Sequence, residues 1–222
     1  MKYIIANFKS HKTSQEIISW FAKLPTPPSG SKLIVALPYP YLSLSLPTSH
    51  ASLAAQNASP FPPGSYTGEV NATQLADLKV EYCLVGHSER RRYFHETSQD
   101  VARKVNELLA AAITPIICVS EQELSPQFAS LTEEAISRSL FAFETPENIG
   151  RQDTTAIAKI KQVMKLLRDY TSDSSLGLIY GGSVNPGNAS SLSDLVDGIL
   201  VATASLDQAS FTAVIQGFTL NA

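Results

Sequence analysis

Hydrophobic positions along the chain follow two alternating rhythms. Short apolar or β-rich runs recur at 2–8, 32–37, 52–56, 81–85, 114–119, 139–143, 176–180 and 198–201, and each reads as a strand. Between them lie stretches with helical spacing or helix-start signals at 14–24, 97–112, 131–138, 153–170 and 205–217. Val101, Val105, Leu108 and Leu109 mark one apolar helix face, and Thr155, Ile157, Ile160, Met164 and Leu167 mark another. Strands regularly separated by helices call for right-handed crossovers and a parallel sheet. Eight such units in 222 residues leave about 28 residues each, near the lower size of a closed (β/α)8 barrel. The pattern therefore predicts an α/β fold, a single-domain barrel over residues 1–222. The proline-rich stretches 25–28 and 60–63 fall between units and are expected to be loops.

Composition changes the picture mainly by exclusion. With 44% hydrophobic and 17% charged residues the chain can bury a sizeable core. Its 17 basic and 20 acidic side chains leave a formal charge of −3, without the basic excess that a nucleic-acid or anionic-membrane partner calls for. No apolar run approaches the ~18 residues of a membrane helix, and the apolar stretch at the start is too short for a signal-peptide core. Cys83 and Cys118 sit within apolar runs and are expected to be buried strand thiols in a reducing compartment. The expected location is the cytoplasm, where the Asn-x-Ser/Thr triplets at Asn57, Asn71 and Asn188 carry no modification.

In a parallel barrel the chemistry sits in loops at the carboxyl ends of the strands. Those ends carry Asn7 and Lys9, Gln56 and Asn57, the run Gly86-His87-Ser88-Glu89, Glu144, Gly181-Gly182-Ser183 and Ala202-Thr203. One imidazole, one carboxylate, one ammonium and several amide-rich positions suit proton transfer on a small phosphorylated substrate. Other constellations are weaker. No dinucleotide glycine fingerprint occurs, and the segment after Gly182-Ser183 lacks a P-loop lysine. His87-x-Glu89 has no accompanying Cys-x-x-Cys for a zinc deaminase, and His11, His50 and His95 lack metal-ligand spacing. The sixth predicted strand offers no lysine for a Schiff base. Arg90-Arg91-Arg92 reads as the ion-pairing start of a helix.

The run Gly86-His87-Ser88-Glu89-Arg90-Arg91 after Leu84-Val85, with Asn7-x-Lys9 at the end of the first strand, resembles the triosephosphate isomerase family. Further matches follow in order: Gly64-Ser65-Tyr66-Thr67-Gly68-Glu69, Glu144 with Ile149-Gly150, Tyr180-Gly181-Gly182-Ser183-Val184-Asn185, and Asp197-Gly198-Ile199-Leu200-Val201 with Ala204-Ser205-Leu206. The resemblance implies a TIM barrel that interconverts dihydroxyacetone phosphate and D-glyceraldehyde 3-phosphate through an enediolate. It implies Glu144 as base, His87 as a neutral electrophile, Lys9 as the adjacent positive charge and Asn7 as a substrate donor. Glu89 takes a supporting role, paired with Lys9 or with the helix that His87 starts. A helix beginning at Ser88-Glu89 would lower the imidazole pKa through its positive end. Gly150, Ser183, Ala202 and Thr203 are expected to hold the phosphate, and residues 145–152 to form a lid. No metal or organic cofactor is implied, since enolisation needs only acid, base and charge.

Several positions depart from the family pattern. Thr145 follows the base where proline is usual, Arg151-Gln152 stand where a small residue and glycine are usual, and Ala202-Thr203 replace two glycines. Thr145 leaves the lid hinge less restricted in φ, and the side chains of Ala202 and Thr203 either crowd the phosphate or demand a poorly adopted φ at a cost of order 1–3 kcal/mol per residue, which leaves a catalytically weakened sugar-phosphate-binding barrel as the alternative function. The stretch between Cys118 and Glu144 is short, so the fifth helix is expected to be cut down, as in the compact isomerases typical of archaea. Phe61, Tyr66 and Thr67 form a partly apolar projection; the resemblance implies a homodimer through this Tyr66-Thr67 loop, with a tetramer as the alternative.

Overall fold

Eight parallel strands pair in sequence order and close on themselves, as seen in a computed structural model that describes residues 1–44, 46, 50–145, 157–171 and 177–220. The strands are β1 (Lys2–Asn7), β2 (Ser31–Leu37), β3 (Ser52–Ala55), β4 (Tyr82–Val85), β5 (Thr114–Val119), β6 (Leu140–Phe143), β7 (Leu178–Tyr180) and β8 (Gly198–Val201). The helices between and after them are α1 (Ser14–Phe21), α2 (Ala72–Asp77), α3 (Ser88–Phe94), α4 (Ser98–Ala110), α5 (Leu124–Ala129), α6 (Glu133–Ser137), α7 (Ile157–Tyr170), α8 (Ala189–Leu192), α9 (Thr203–Leu206) and α10 (Gln208–Thr219).

Each strand is buried on both faces, which is why it reads as a continuous apolar run and not as a strict alternation. Ile5, Ile34, Ala36, Ala54, Leu84, Ile116, Cys118, Leu140, Ala142, Ile179 and Leu200 form one cluster, filling the barrel interior with mixed large and small side chains. Their strand neighbours Ile4, Val35, Val85, Ile117, Phe141, Phe143 and Ile199 face the helices in a second cluster. Both cysteines are free and buried in these strands, as expected. Closure places β8 against β1 with Tyr3 opposite Gly198. A Cβ at Gly198 would lie 2.7 Å from Tyr3 Cβ and 2.8 Å from its carbonyl oxygen, so the closing contact depends on glycine there.

The sequence pattern finds the strands, the long helices, α6 and the start of α3, but not α2, α5 and α8. α2, α5 and α8 have only six, six and four residues, too few to display a 3.6-residue period. The stretch 205–217 is two helices rather than one. Asp207 interrupts it with φ −98° and ψ 123°, and its carboxylate accepts from the Ser210 amide at 2.7 Å to cap α10. Between β5 and β6 the helical segment is cut down to α5 and α6, the latter capped where Thr132 Oγ1 accepts from the Ala135 amide.

Thr97 and Asp100 form a reciprocal capping box at the start of α4. At its end the Ile113 amide donates to Leu108 and the Ala112 amide to Leu109, the two bonds of a Schellman turn. Such a turn needs a left-handed residue, and Ala112 supplies it at φ 59° despite its Cβ. Ala112→Gly is therefore expected to stabilise the fold by about 1 kcal/mol. The expected readout is a higher denaturant midpoint at unchanged slope; an unchanged or lower midpoint would show that the turn carries no strain.

Candidate active site

The carboxyl ends of β1, β4, β6, β7 and β8 surround a cleft of about 680 Å³ lined by Asn7, Lys9, His87, Glu144, Gly181, Gly182, Ser183, Ala202 and Thr203. Of the residues expected to form the site, all but Gly150 are described; Gly150 and most of the expected lid lie outside the described residues, Thr145 being the exception. Across Glu144 lies a second cleft of about 670 Å³, bounded by Arg91, Arg92, Glu121, Thr145 and Lys159. It lacks the imidazole, Lys9 and Asn7 that line the first.

Lys9 follows β1 in a left-handed conformation, φ 49°, a cost accepted where surrounding bonds over-determine it. Asn7 Oδ1 accepts from the Lys9 amide at 3.0 Å, and Gln56 Nε2 donates to the Lys9 carbonyl at 2.9 Å. The Lys9 ammonium pairs with Glu89 Oε1 at 2.6 Å, while Glu89 Oε2 lies 3.7 Å from His87 Nδ1, so Glu89 meets both of its expected partners.

His87 ends the β4–α3 turn and is itself the N-cap of α3. The Glu89 amide donates to His87 Nδ1 at 3.2 Å, so Nδ1 is an acceptor and the proton of a neutral ring sits on Nε2. That nitrogen points at the base: His87 Nε2 and Glu144 Oε1 are 3.0 Å apart. The next amide along, that of Ser88, donates to Glu144 Oε2 at 2.7 Å. Two successive amides at the start of α3 thus hold the imidazole and the carboxylate, as unsatisfied N–H groups at a helix N-terminus can. Glu144 is only 2% exposed, and its Oε1 has no properly aligned hydrogen-bond partner among the described residues. Ser88 was not singled out as a site residue in the sequence, although its place as the first residue after the N-cap marks a free amide.

Electrostatics corrects one expectation. Burial, the largest single influence, lowers the His87 pKa, but the Glu144 carboxylate and, less strongly, that of Glu89 together raise it by more, so in this arrangement it lies above the ordinary value instead of below it. Burial likewise raises Glu144, and the nearby imidazole with the Ser88 amide overrides it, leaving the carboxyl below its ordinary value. A second correction concerns backbone strain in the expected phosphate loop. Ala202 has φ −96° and Thr203 is not among the left-handed residues, so neither takes the positive φ that a glycine would supply there. What their side chains do is line the cleft where the sequence departs from the glycine pair.

The β7–α8 turn comes close to the base because it has no side chains there. A Cβ at Gly181 would lie 3.3 Å from Glu144 Cγ, and one at Gly182 only 2.1 Å from the Tyr180 hydroxyl and 2.7 Å from Thr145 Oγ1. The cleft also takes in Val184, Asn185, Asp207 and Ser210, which sequence reasoning did not assign to it.

A closed parallel barrel with an ammonium, an imidazole and a buried carboxylate in one chain of contacts at its carboxyl-end mouth defines a proton-transferring barrel enzyme. Residues 2–218 match the family described as triosephosphate isomerase. The chain is 34% identical to the triosephosphate isomerase of a Synechococcus strain, covering 96% of this chain and 95% of that protein. It is 34% identical to that of Thermus thermophilus over 96% and 97%, and 36% identical to that of Mesomycoplasma hyorhinis over 98% of each. The chain belongs to the triosephosphate isomerase family. The Synechococcus alignment runs over 238 positions, more than the 222 residues of this chain, and so opens gaps in it.

The opposed influences on His87 give a test. Glu144→Gln removes the raising charge while leaving burial in place, so His87 is expected to titrate below 6.5 in the variant and above it in the parent, as followed by imidazole NMR. The same pair governs stability. His87 contributes fully below pH 6.5, and this is lost as pH rises through its raised folded value. Glu144 contributes fully above about 4.5, and this is lost as pH falls through its lowered folded value. Identical titration in parent and variant would show that the two groups are not coupled.

Proposed function

We propose that this chain interconverts dihydroxyacetone phosphate and D-glyceraldehyde 3-phosphate, serving glycolysis and gluconeogenesis. The observation that carries this reading is the buried Glu144 carboxylate. One of its oxygens is fixed by the Ser88 amide, while the other is unbonded and 3.0 Å from His87 Nε2, in the cleft that holds Lys9.

Glu144 Oε1 takes the proton from the carbon beside the carbonyl and returns it to the neighbouring carbon. His87 Nε2–H donates to the oxygen on which negative charge develops. A substrate seated between them separates the imidazole from the carboxylate that raises its pKa. Burial, the Lys9 charge and the Glu89 amide then favour the neutral ring against the remaining Glu89 carboxylate, and a neutral ring donates from Nε2. Lys9, oriented by Glu89, brings positive charge to the enediolate and phosphate. The Asn7 amide nitrogen has no partner among the described residues, since only its Oδ1 is used, and it donates to a substrate oxygen.

The phosphate is held by backbone amides of Gly150, Ser183, Ala202 and Thr203, and residues 145–152 close over it to keep water from the intermediate. No metal or organic cofactor takes part, and neither nucleic acid nor membrane is a partner. Among the described residues no helix is long and apolar enough to cross a membrane, and we place the enzyme in the cytoplasm. The second reading, a weakened binding barrel, is favoured by one observation: Ala202 and Thr203 put side chains into the cleft where the phosphate goes.

A coupled assay with D-glyceraldehyde 3-phosphate separates the two. Turnover is expected, falling by about 10³-fold or more in Glu144→Gln and by about 10²-fold in His87→Ala. Binding of phosphoglycolate without turnover would select the weakened barrel.

The Tyr66-Thr67 loop supports a homodimer, with a tetramer as the larger alternative. Phe61 and Tyr66 stack at 4.4 Å and 10°, and both remain more than a third exposed at the tip of a loop closed by the Ser59 to Val70 hydrogen bond. Light scattering is expected to give at least twice the 24.0 kDa chain mass; a 24.0 kDa species alone would refute assembly.

A further inference from the structure

The aim of α3 is set from below by a side chain the reaction itself does not use. Arg91, one turn after His87, folds back beneath the β4–α3 turn: its Nε donates to the Gly86 carbonyl at 2.8 Å and its Nη2 to the Cys118 carbonyl at 3.3 Å. Gly86 is left-handed at φ 70°, and a Cβ there would lie 2.7 Å from Arg91 Nη2, so guanidinium and turn are in close contact. The outer end of that fork is held by Gln127 of α5, whose Oε1 accepts from Nη2 at 2.7 Å. Gln127 is fully buried, and its Nε2 donates to the carbonyl of Ser98, the first residue of α4, at 3.2 Å.

Arg91 has no carboxylate partner among the described residues; its directional partners are two carbonyls and this amide. A guanidinium held only by neutral acceptors owes its orientation to where they stand. One peptide beyond the Gly86 carbonyl lies His87, followed by the Ser88 and Glu89 amides that hold Glu144 and His87. We propose that Gln127 is a positioning residue for the proton-transfer pair, acting through Arg91 and Gly86 on the direction of the His87 ring and the Ser88 amide. This rests on the isomerase reading above, and it assigns a catalytic consequence to the shortened segment between β5 and β6.

Gln127→Met keeps the length of the side chain but removes both polar atoms, whereas Gln127→Glu keeps an acceptor for Arg91. In Gln127→Met, kcat is expected to fall about 10-fold with KM changed less than threefold, and the His87 imidazole NMR signals of the substrate-free protein are expected to shift. Gln127→Glu is expected to recover most of kcat and the parental His87 signals. Should Gln127→Met not fold, Arg91→Lys, which keeps the charge but cannot span the Gly86 carbonyl and Gln127 together, is expected to show the same fall and the same shift. Parental kcat and unmoved His87 signals in the folded variant would overturn the proposal. So would an equal loss in Gln127→Glu with His87 unmoved, which marks a purely structural role. If the parent chain itself shows no turnover, the isomerase reading fails, and the His87 signals still decide whether Gln127 positions the ring.

Discussion

Two consecutive backbone amides at the start of α3 are the constraint on which this site depends. Ser88 N–H fixes one oxygen of Glu144 and Glu89 N–H fixes Nδ1 of His87, so the direction of one short helix sets both the carboxylate and the imidazole. Neither amide could serve were it satisfied within the helix, and both are free only because they lie in its first turn. Much of the surrounding structure holds that turn in place: the left-handed Gly86, the Arg91 fork, and the cluster in which Glu96 accepts from Arg90 and Lys104 while Lys104 reaches Asn57. Burial of Lys104 pushes its pKa down, so this cluster is a costly arrangement retained beneath the helix.

The barrel itself was legible in the sequence because strands buried on two faces leave uninterrupted apolar runs, and all eight appeared within a residue or two of their observed bounds. That Asn7, Lys9, His87 and Glu144 share one cleft was legible for a related reason: they stand at or just beyond the ends of those runs, at the mouth of a parallel barrel. What escaped was whatever depends on distant neighbours. The protonation balance of His87 is governed by a carboxylate two strands further round the barrel, so helix-terminus reasoning alone gave the wrong sign. The φ of Ala202 is set by how the β8–α9 turn closes, which no local rule specifies. Short helices such as α2 and α8 had no period to show, and the part of the lid that carries Gly150 stays an expectation.

The departures at the barrel mouth have unequal weight. Thr145 is buried directly after the base and close to Gly182, where the turn tolerates no added Cβ, so its hydroxyl is packed into the site rather than exposed on a hinge. Neither Ala202 nor Thr203 takes the left-handed conformation that glycine favours, and both put side chains into the cleft. Crowding by side chains is therefore the means by which this chain differs from a glycine-lined phosphate loop.

Pairing between β1 and β8 also sets an order of events during synthesis. The register Tyr3 to Gly198 through Ala6 to Val201 joins the first strand of the barrel to its eighth. Until β8 emerges from the ribosome, β1 and β7 each keep one flank of hydrogen-bonding groups without a strand partner. Asn7 and Lys9 come to line one cleft with Ala202 and Thr203 only when the ring shuts, so that cleft cannot form before β8 has been made.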